Sequence, residues 1–164
     1  MPVGDDTNAY RRDLPHLEKS GKTYFVTFCT WHRRQLPPEA RDLTLASCVH
    51  DHRLQYWLHV AVVMLDHVHL IVSPYDDARL RTVLQAIKSS SSHQIKHARL
   101  LNPPTWQDES FDHILRSDED IRAKGEYVCN NPVRKGYVRT PDEWPWLWRE
   151  WIEGAAGEGA RRHT

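Results

Sequence analysis

The sequence predicts an α+β fold formed by one domain of 164 residues. Three segments, residues 24–31, 56–64 and 67–73, are rich in β-branched and aromatic side chains, which favour extended strands. Only Leu65 and Asp66 separate the second strand from the third, so these two strands should form a hairpin. Longer segments with apolar residues three or four positions apart lie between and after the strands, and they predict helices.

The first two helices are predicted from apolar spacing and from the residues that bound them. Residues 39–53 have apolar side chains at mostly helical spacing, and Pro38 suits the first turn of that helix. Residues 78–101 repeat the pattern over a longer stretch, which ends at the sequence NPP of residues 102–104.

The chain beyond residue 104 is predicted to begin with a short strand pair, residues 105–107 and 111–115. Ser117 is expected to cap a third helix, because the acidic residues that follow it would lie where the helix dipole favours negative charge. Pro132 cannot continue a helix, so this one should end at residue 130 or 131.

The composition excludes a disordered, fibrous or membrane-spanning chain. Hydrophobic residues make up 40% of the sequence, and 22 basic side chains balance 22 acidic ones. The longest apolar run, residues 60–65, is far shorter than the roughly 20 residues of a membrane helix. The three cysteines fit a reducing compartment, and residues 1–15 have no apolar stretch of the kind found in secretion signals. We therefore expect a cytoplasmic protein with no membrane partner, with one domain over residues 1–153 and a flexible tail over residues 154–164.

His67 and His69 are the most distinctive chemical feature of the sequence. Alternate residues of a strand point to the same face of a sheet, so these side chains should lie together, with Val68 on the opposite face. Two imidazoles on one face can bind a divalent cation. Polar positions on the wet side of a sheet give the same pattern, but the apolar residues 70–72 indicate a buried strand, where two unneeded histidines would be costly.

Tyr127 lies in the third predicted helix, four residues before Asn131, and residues four apart share a helix face. A tyrosine hydroxyl, whose pKa is about 10, is a weak nucleophile unless a metal-bound phosphate or a base lies close to it. Without such a partner, a tyrosine in a helix is usually a packing residue.

A basic stripe on the long predicted helix is the third feature. The stripe consists of Arg81, Lys88, Lys96 and Arg99, and residues 79–99 contain no acidic side chain. A solvated helix face and a surface that binds DNA phosphates both fit this pattern.

Two other clusters also allow a functional and a structural interpretation. Cysteines and histidines between residues 29 and 52 are zinc-binding residue types, but no second half of a zinc motif follows them, so buried cysteines are the simpler interpretation. The tryptophans are expected to form a packing patch, and stacking on unpaired bases is the alternative. They are Trp144, Trp146, Trp148 and Trp151.

Several segments together resemble the single-tyrosine HUH transposases, which form the IS200-like superfamily, and among them the REP-associated tyrosine transposases. Residues 63–74 (VMLDHVHLIVSP) resemble the strand that carries two histidines. Residues 106–121 (WQDESFDHILRSDEDI) and 126–138 (EYVCNNPVRKGYV) resemble the tyrosine-bearing helix and its flanks. The resemblance extends over residues 24–146 and rests on the order and spacing of these segments.

The resemblance implies a ferredoxin-like fold, in which an antiparallel sheet carries the two histidines at its centre and helices pack on one face. It implies an enzyme that cleaves and rejoins single-stranded DNA beside a hairpin and becomes linked to the 5′ phosphate through its tyrosine. It also implies a divalent cation, Mg²⁺ or Mn²⁺, and a protein that works as a monomer or a homodimer.

Carried over to this sequence, the resemblance assigns cation binding to His67, His69 and Asn131, and it makes Tyr127 the nucleophile. A side-chain amide oxygen is a plausible ligand for either cation. His113 matches a histidine that recurs in the family, and we expect it, together with the basic stripe, among the residues that bind DNA.

Two alternative functions stay open at this point. A protein that binds DNA hairpins without cutting them would need neither the histidine pair nor Tyr127. A metal-dependent phosphohydrolase would use water as its nucleophile, and Tyr127 would then be incidental. A covalent protein–DNA adduct distinguishes the strand-transfer enzyme from both.

Overall fold

The fold is built on one antiparallel sheet, as seen in a computed structural model whose described residues are 22–75 and 78–150. Its strands are β1 (Thr23–Thr30), β2 (Tyr56–Val63), β3 (His67–Pro74), β4 (Trp106–Leu115) and β5 (Leu147–Arg149). Their order in the sheet is β4-β1-β3-β2-β5, and every neighbouring pair is antiparallel. The first four strands follow the ferredoxin-like order, which confirms the predicted fold class, and β5 extends the sheet beside β2.

Two helices cover one face of this sheet, which we call the two-helix face. They are α1 (Pro38–His50) and α2 (Leu80–His97), and they pack against each other and on the sheet. Val68, Leu70 and Val72 of β3 are completely buried beneath them. This layer contains the larger hydrophobic core of the domain, and the predicted packing of helices on one face describes α1 and α2.

The opposite face, which we call the histidine face, carries a smaller core and a third helix. That helix, α3 (Asp118–Cys129), packs Ile121 and Val128 against β2 and β3. Ser117 caps it as predicted, because its hydroxyl accepts a hydrogen bond from the amide of Asp120 at 3.1 Å. A short helix, α4 (Asn131–Arg134), follows directly, so the chain restarts a helical turn at the proline that was predicted to end α3.

The predicted short strand pair at residues 105–107 and 111–115 is wrong, because residues 106–115 form the single strand β4 and residue 105 precedes it. β1 offers a continuous partner along its length, and the pairing shifts register between Phe28 and Thr30. Such an irregularity accommodates extra residues in one strand of a pair, and it brings the polar residues 107–109, which are poor strand formers, into the sheet.

The tryptophans near the end of the described chain are packing residues, with one outside the described range. Trp144 and Trp148 are 5% and 1% exposed, so neither offers a ring face to a base. Trp146 is half-buried and donates its indole N–H to Asp42 at 2.7 Å. Trp151 and the predicted tail, residues 154–164, lie outside the described residues.

The possible zinc cluster does not assemble in the described part of the chain, where no three His, Cys, Asp or Glu side chains come close enough to hold a metal ion. Cys48 is fully buried, and burial raises the pKa of its thiol to about 12, which keeps it protonated. Among the helices of residues 22–75 and 78–150, none is long and apolar enough to cross a membrane.

Candidate active site on the histidine face

His67 and His69 project from the central strand β3 onto the histidine face, with their ring centroids 4.7 Å apart. Val68 between them points into the core of the two-helix face, as the alternation of a strand requires. β3 lies between β1 and β2, so both histidines are held by strands on either side.

Hydrogen bonds fix the orientation of both imidazole rings. Nδ1 of His67 lies 2.8 Å from a carboxylate oxygen of Asp66, and Nδ1 of His69 lies 2.8 Å from the hydroxyl of Thr27. The guanidinium of Arg33 in turn holds Asp66 at 3.2 Å. Within the described residues no hydrogen bond engages either Nε2 atom. The carboxylate of Asp66 can only accept, so Nδ1 of His67 donates and its Nε2 keeps a lone pair for a metal ion. The Thr27 hydroxyl can also accept, and the tautomer of His69 that donates through Nδ1 presents its Nε2 lone pair in the same way.

Both histidines are held in their neutral form. Burial is the main cause that lowers the pKa of His69, to about 3, and the nearby positive charges of Arg134 and Lys124 lower it further. Burial also lowers the pKa of His67, although Asp66 partly opposes this effect. Neutral imidazoles are the form that binds cations, so the donors of this pair fit a divalent metal.

Asn131 opens α4 and is 7% exposed. Its amide oxygen accepts a long hydrogen bond of 3.5 Å from the guanidinium of Arg134. α4 follows α3 directly, and Val128 and Cys129 at the end of α3 belong to the core of the histidine face, so α4 begins on that face. The structure therefore brings the three residues predicted to bind a cation to the same side of the sheet.

Tyr127 is 58% exposed on α3, and two cations lie against its ring. The guanidinium of Arg134 lies 3.7 Å from the ring centroid, and the ammonium of Lys124 lies 5.3 Å from it. Lys124 also lies 4.8 Å from the centre of the Phe25 ring, and that ring stacks with His69 at 5.5 Å. A continuous series of contacts therefore links the tyrosine to the histidine pair of the same chain.

Lys124 and Arg134 are residues that the sequence analysis missed. Lys124 precedes Tyr127 by three positions and so shares its helix surface, a spacing that was visible in the sequence. Arg134 lies beyond the end of α3, and only the turn into α4 brings it back over the tyrosine, where its guanidinium also donates to the carbonyl of Tyr127 at 2.7 Å. No local pattern indicates that contact.

The basic stripe lies on the other side of the sheet. Arg81 and Lys88 line a groove of about 970 Å³ between α2 and the edge strand β4, whereas Lys96 and Arg99 are exposed residues outside its lining. Lys88 is half-buried, and its ammonium donates to the carbonyl of Asp108 and the hydroxyl of Ser110. Lys88 therefore links α2 to β4 and also places a positive charge in the groove.

His113 lies on β4, on the same face as the histidine pair. It is paired with Phe25 across the sheet, and Phe25 is paired with Ile71 of β3. Facing residues of neighbouring strands share a sheet face, so His113 belongs to the histidine face and is two strands away from β3.

Comparison with known proteins gives one consistent result. The family model described as "Transposase IS200 like" matches residues 19–131. A Haemophilus influenzae protein that carries the name REP-associated tyrosine transposase is 30% identical over 153 residues, which cover 84% of this chain and 82% of the relative. An Escherichia coli REP-associated tyrosine transposase is 26% identical over 128 residues, or 76% of this chain and 74% of the relative.

A solved structure shares the fold. The structure of a REP-associated tyrosine transposase bound to a REP hairpin superposes with a TM-score of 0.66 and 24% sequence identity. The match covers 78% of this chain and 76% of that one. At this identity the likeness concerns the fold, and it supports the strand order described above.

The neutral state of His69 predicts a pH dependence of stability. Its pKa of about 3 in the folded protein lies below the 6.5 of an unperturbed histidine, so between these values only the unfolded chain binds the proton. The free energy of unfolding should fall as the pH falls, by up to about 1.4 kcal/mol per pH unit from this residue. We expect His69→Gln to flatten the decline between about pH 6.5 and pH 4 in urea unfolding with chelator present. The exposed His113→Gln is the matched control, and a decline as steep in His69→Gln as in the wild type would contradict the expectation.

Proposed function

The chain belongs to the IS200-like transposase family, among its REP-associated tyrosine transposases, and from this premise we propose that it cuts and rejoins single-stranded DNA through Tyr127. The observation that carries the proposal is the contact series from the exposed Tyr127 ring through Lys124 and Phe25 to His69. A tyrosine nucleophile and two imidazoles that can bind a cation are groups suited to phosphoryl transfer.

The proposed reaction exchanges one phosphate ester for another. The hydroxyl oxygen of Tyr127 attacks the phosphorus atom, the bond from phosphorus to the 3′ oxygen breaks, and the protein stays linked to the 5′ phosphate. The tyrosine loses its proton, and the departing 3′ oxygen gains one. Because the phosphate stays esterified, a 3′ hydroxyl can later attack the phosphotyrosine and rejoin the strand without an external energy source.

We propose that Lys124 and Arg134 assist this step through charge. Both lie against the ring of Tyr127. Their charges would lie beside a phosphate that meets this tyrosine, where negative charge builds up in the transition state. Neither residue has to transfer a proton for this effect.

The residues that would hold a cation are His67 and His69, through Nε2, and Asn131, through its amide oxygen. Mixed nitrogen and oxygen donors suit Mn²⁺, and Mg²⁺ prefers oxygen and keeps several waters, so both remain in the proposal. A bound divalent cation would polarise the scissile phosphate and neutralise part of its charge. Asp66 and Thr27 would keep the two rings aimed at it through Nδ1.

We propose that the DNA partner is a single strand that carries a hairpin, as in the relative whose solved structure is bound to one. The basic stripe would bind phosphates of this DNA: Arg81, Lys88 and Lys96 belong to α2, and Arg99 follows the end of that helix. α2 covers the two-helix face, on the other side of the sheet from Tyr127. The hairpin and the cleaved bond would therefore lie on opposite faces of the sheet, and the strand between them would pass over the edge strand β4.

One protomer contains all the proposed groups, because the contacts described for Tyr127 are made within the chain that carries His69. A monomer, or each protomer of a homodimer acting by itself, could then carry out the reaction. Membrane association has no part in the proposal.

Tyr127→Phe tests the nucleophile. The change removes one oxygen and keeps the ring between its two cations, so folding and affinity for hairpin DNA should remain near wild type. No cut and no covalent adduct should form, and denaturing gel electrophoresis with a labelled hairpin oligonucleotide that has single-stranded flanks measures both.

His67→Ala is the comparison variant. It should also abolish cutting, and excess Mn²⁺ should restore part of it, because the tyrosine is intact. Cleavage of the same bond by Tyr127→Phe at a comparable rate would contradict the proposal and would favour the phosphohydrolase that uses water.

The basic stripe predicts a salt effect. Lys96→Ala should weaken binding to unrelated hairpins about equally, and it should lower the slope of log Kd against log salt by about 0.7 to 0.9, the value of one lost phosphate contact. Arg139→Ala, an exposed cation outside α2, is the matched control. Filter binding at several salt concentrations measures the slope, and equal slopes for Lys96→Ala and the wild type would remove Lys96 from the interface.

A further inference from the structure

A row of aromatic rings crosses the histidine face from the candidate active site to the edge of the sheet. Phe25 stacks with His69 at 5.5 Å and contacts His113 edge to face at 5.4 Å. His113 contacts Phe111 at 6.2 Å between ring centroids. The row therefore runs from β3 over β1 to β4, and its outer members belong to the edge strand.

Phe111 is 65% exposed, so the core does not account for it. It is paired with Thr27, and Thr27 is paired with His69, so the phenyl ring lies on the same face as the imidazole pair. Neighbouring strands are about 4.8 Å apart, which puts the backbone of Phe111 roughly 10 Å from that of His69. A stacked single strand extends about 3.4 Å per nucleotide, so this distance is a few nucleotides.

A cation lies at the inner end of the row, next to the tyrosine. Lys124 lies 4.8 Å from the centre of the Phe25 ring and 5.3 Å from that of the Tyr127 ring, so its charge is placed between the row and the tyrosine. Asp112 of β4 is paired with Val26, whose side chain is in the core of the two-helix face. The carboxylate next to Phe111 and His113 in the sequence therefore lies on the other side of the sheet.

We propose that Phe111 and His113 form a stacking platform for unpaired nucleobases that flank the scissile phosphate. This inference rests on the proposed function, since it assigns the strand near Tyr127 a path across β4. Aromatic rings combined with cations on an exposed sheet are how proteins bind single-stranded nucleic acid with little sequence preference, because every base has a ring face. The ligand is thus an unpaired base, either a purine or a pyrimidine.

Such a surface could instead bind a second copy of this chain. A stable protein interface buries about 800 Å² on each partner, whereas one phenyl side chain contributes about 150 to 250 Å². The row exposes one large apolar ring, that of Phe111, and the row is continuous with the groups proposed to act on DNA. Its exposed apolar area is therefore large enough for a base and too small for a stable subunit interface.

The test compares base and abasic flanks. The probes are a stable DNA hairpin with thymidine tails and the same hairpin with abasic tails, bound to protein that carries Tyr127→Phe so that no cutting occurs. In this background the thymidine tails should improve affinity about tenfold over the abasic tails, from stacking of a base. With Phe111→Leu added, which keeps an apolar side chain but removes the ring, the two probes should bind nearly equally. Phe111→Trp should retain the tenfold ratio, and His113→Ala should reduce it.

Leu54→Ala is the matched control, because Leu54 is also a large exposed side chain, at 69%, in the turn between α1 and β2. It should leave the ratio of affinities unchanged. A tenfold ratio that persists in Phe111→Leu would overturn the platform, and so would equal binding of both probes by the parent protein. A smaller oligomer for Phe111→Leu on size-exclusion chromatography, with an unchanged ratio, would also overturn it and would assign Phe111 to contacts between copies.

Failure of the platform and failure of the proposed function give different results. If only the platform is wrong, protein with Tyr127 intact still forms a covalent adduct with the tailed hairpin. The ratio of affinities for the thymidine and abasic tails is then unchanged by Phe111→Leu. If the proposed function is wrong, no adduct forms with any tail, whatever the ratio of affinities.

Discussion

The register of β3 is the constraint on which the candidate active site depends. Its odd-numbered histidines, His67 and His69, face one side of the sheet, and its even-numbered apolar residues are completely buried on the other. A slip by one residue would turn both imidazoles into the larger core and three aliphatic side chains toward solvent. Pairing with β1 and β2 on both sides prevents this slip, and it also supplies Thr27, which orients His69.

The two faces of the sheet carry different parts of the protein: the candidate active site on one face, and the larger core with the groove on the other. The histidine face carries the imidazole pair, Tyr127 and the cations that contact the tyrosine, whereas the two-helix face carries the core and the groove beside α2. β4 belongs to both, because its alternate residues face the groove and the ring row. Lys88 joins this strand to α2 by hydrogen bonds to Asp108 and Ser110. A shift of the edge strand would therefore move residues of the groove on one face and of the ring row on the other.

The parts of the fold that follow local rules could be predicted from the sequence. Strand alternation predicts that His67 and His69 lie together, and Ser117 followed by acidic residues predicts the start of α3. The parts that depend on pairing over long distances could not. Residues 107–109 look like a break, and they join β4 only because β1 and a register shift accommodate them. Arg134 reaches the ring of Tyr127 only through the turn between α3 and α4. The exposure of Phe111 depends on the position of β4 at the edge of the sheet, which the local sequence does not indicate.

Tyr127 and the histidine pair are proposed to act together on one phosphate. The most direct measurement is mass spectrometry of the adduct formed with a hairpin that has single-stranded flanks, after digestion of both protein and DNA. We expect a nucleotide attached through its 5′ phosphate to the peptide that contains Tyr127, formed only with a divalent cation and lost in His69→Ala. Attachment to another residue such as Tyr137, or cleaved DNA with no protein attached, would contradict it.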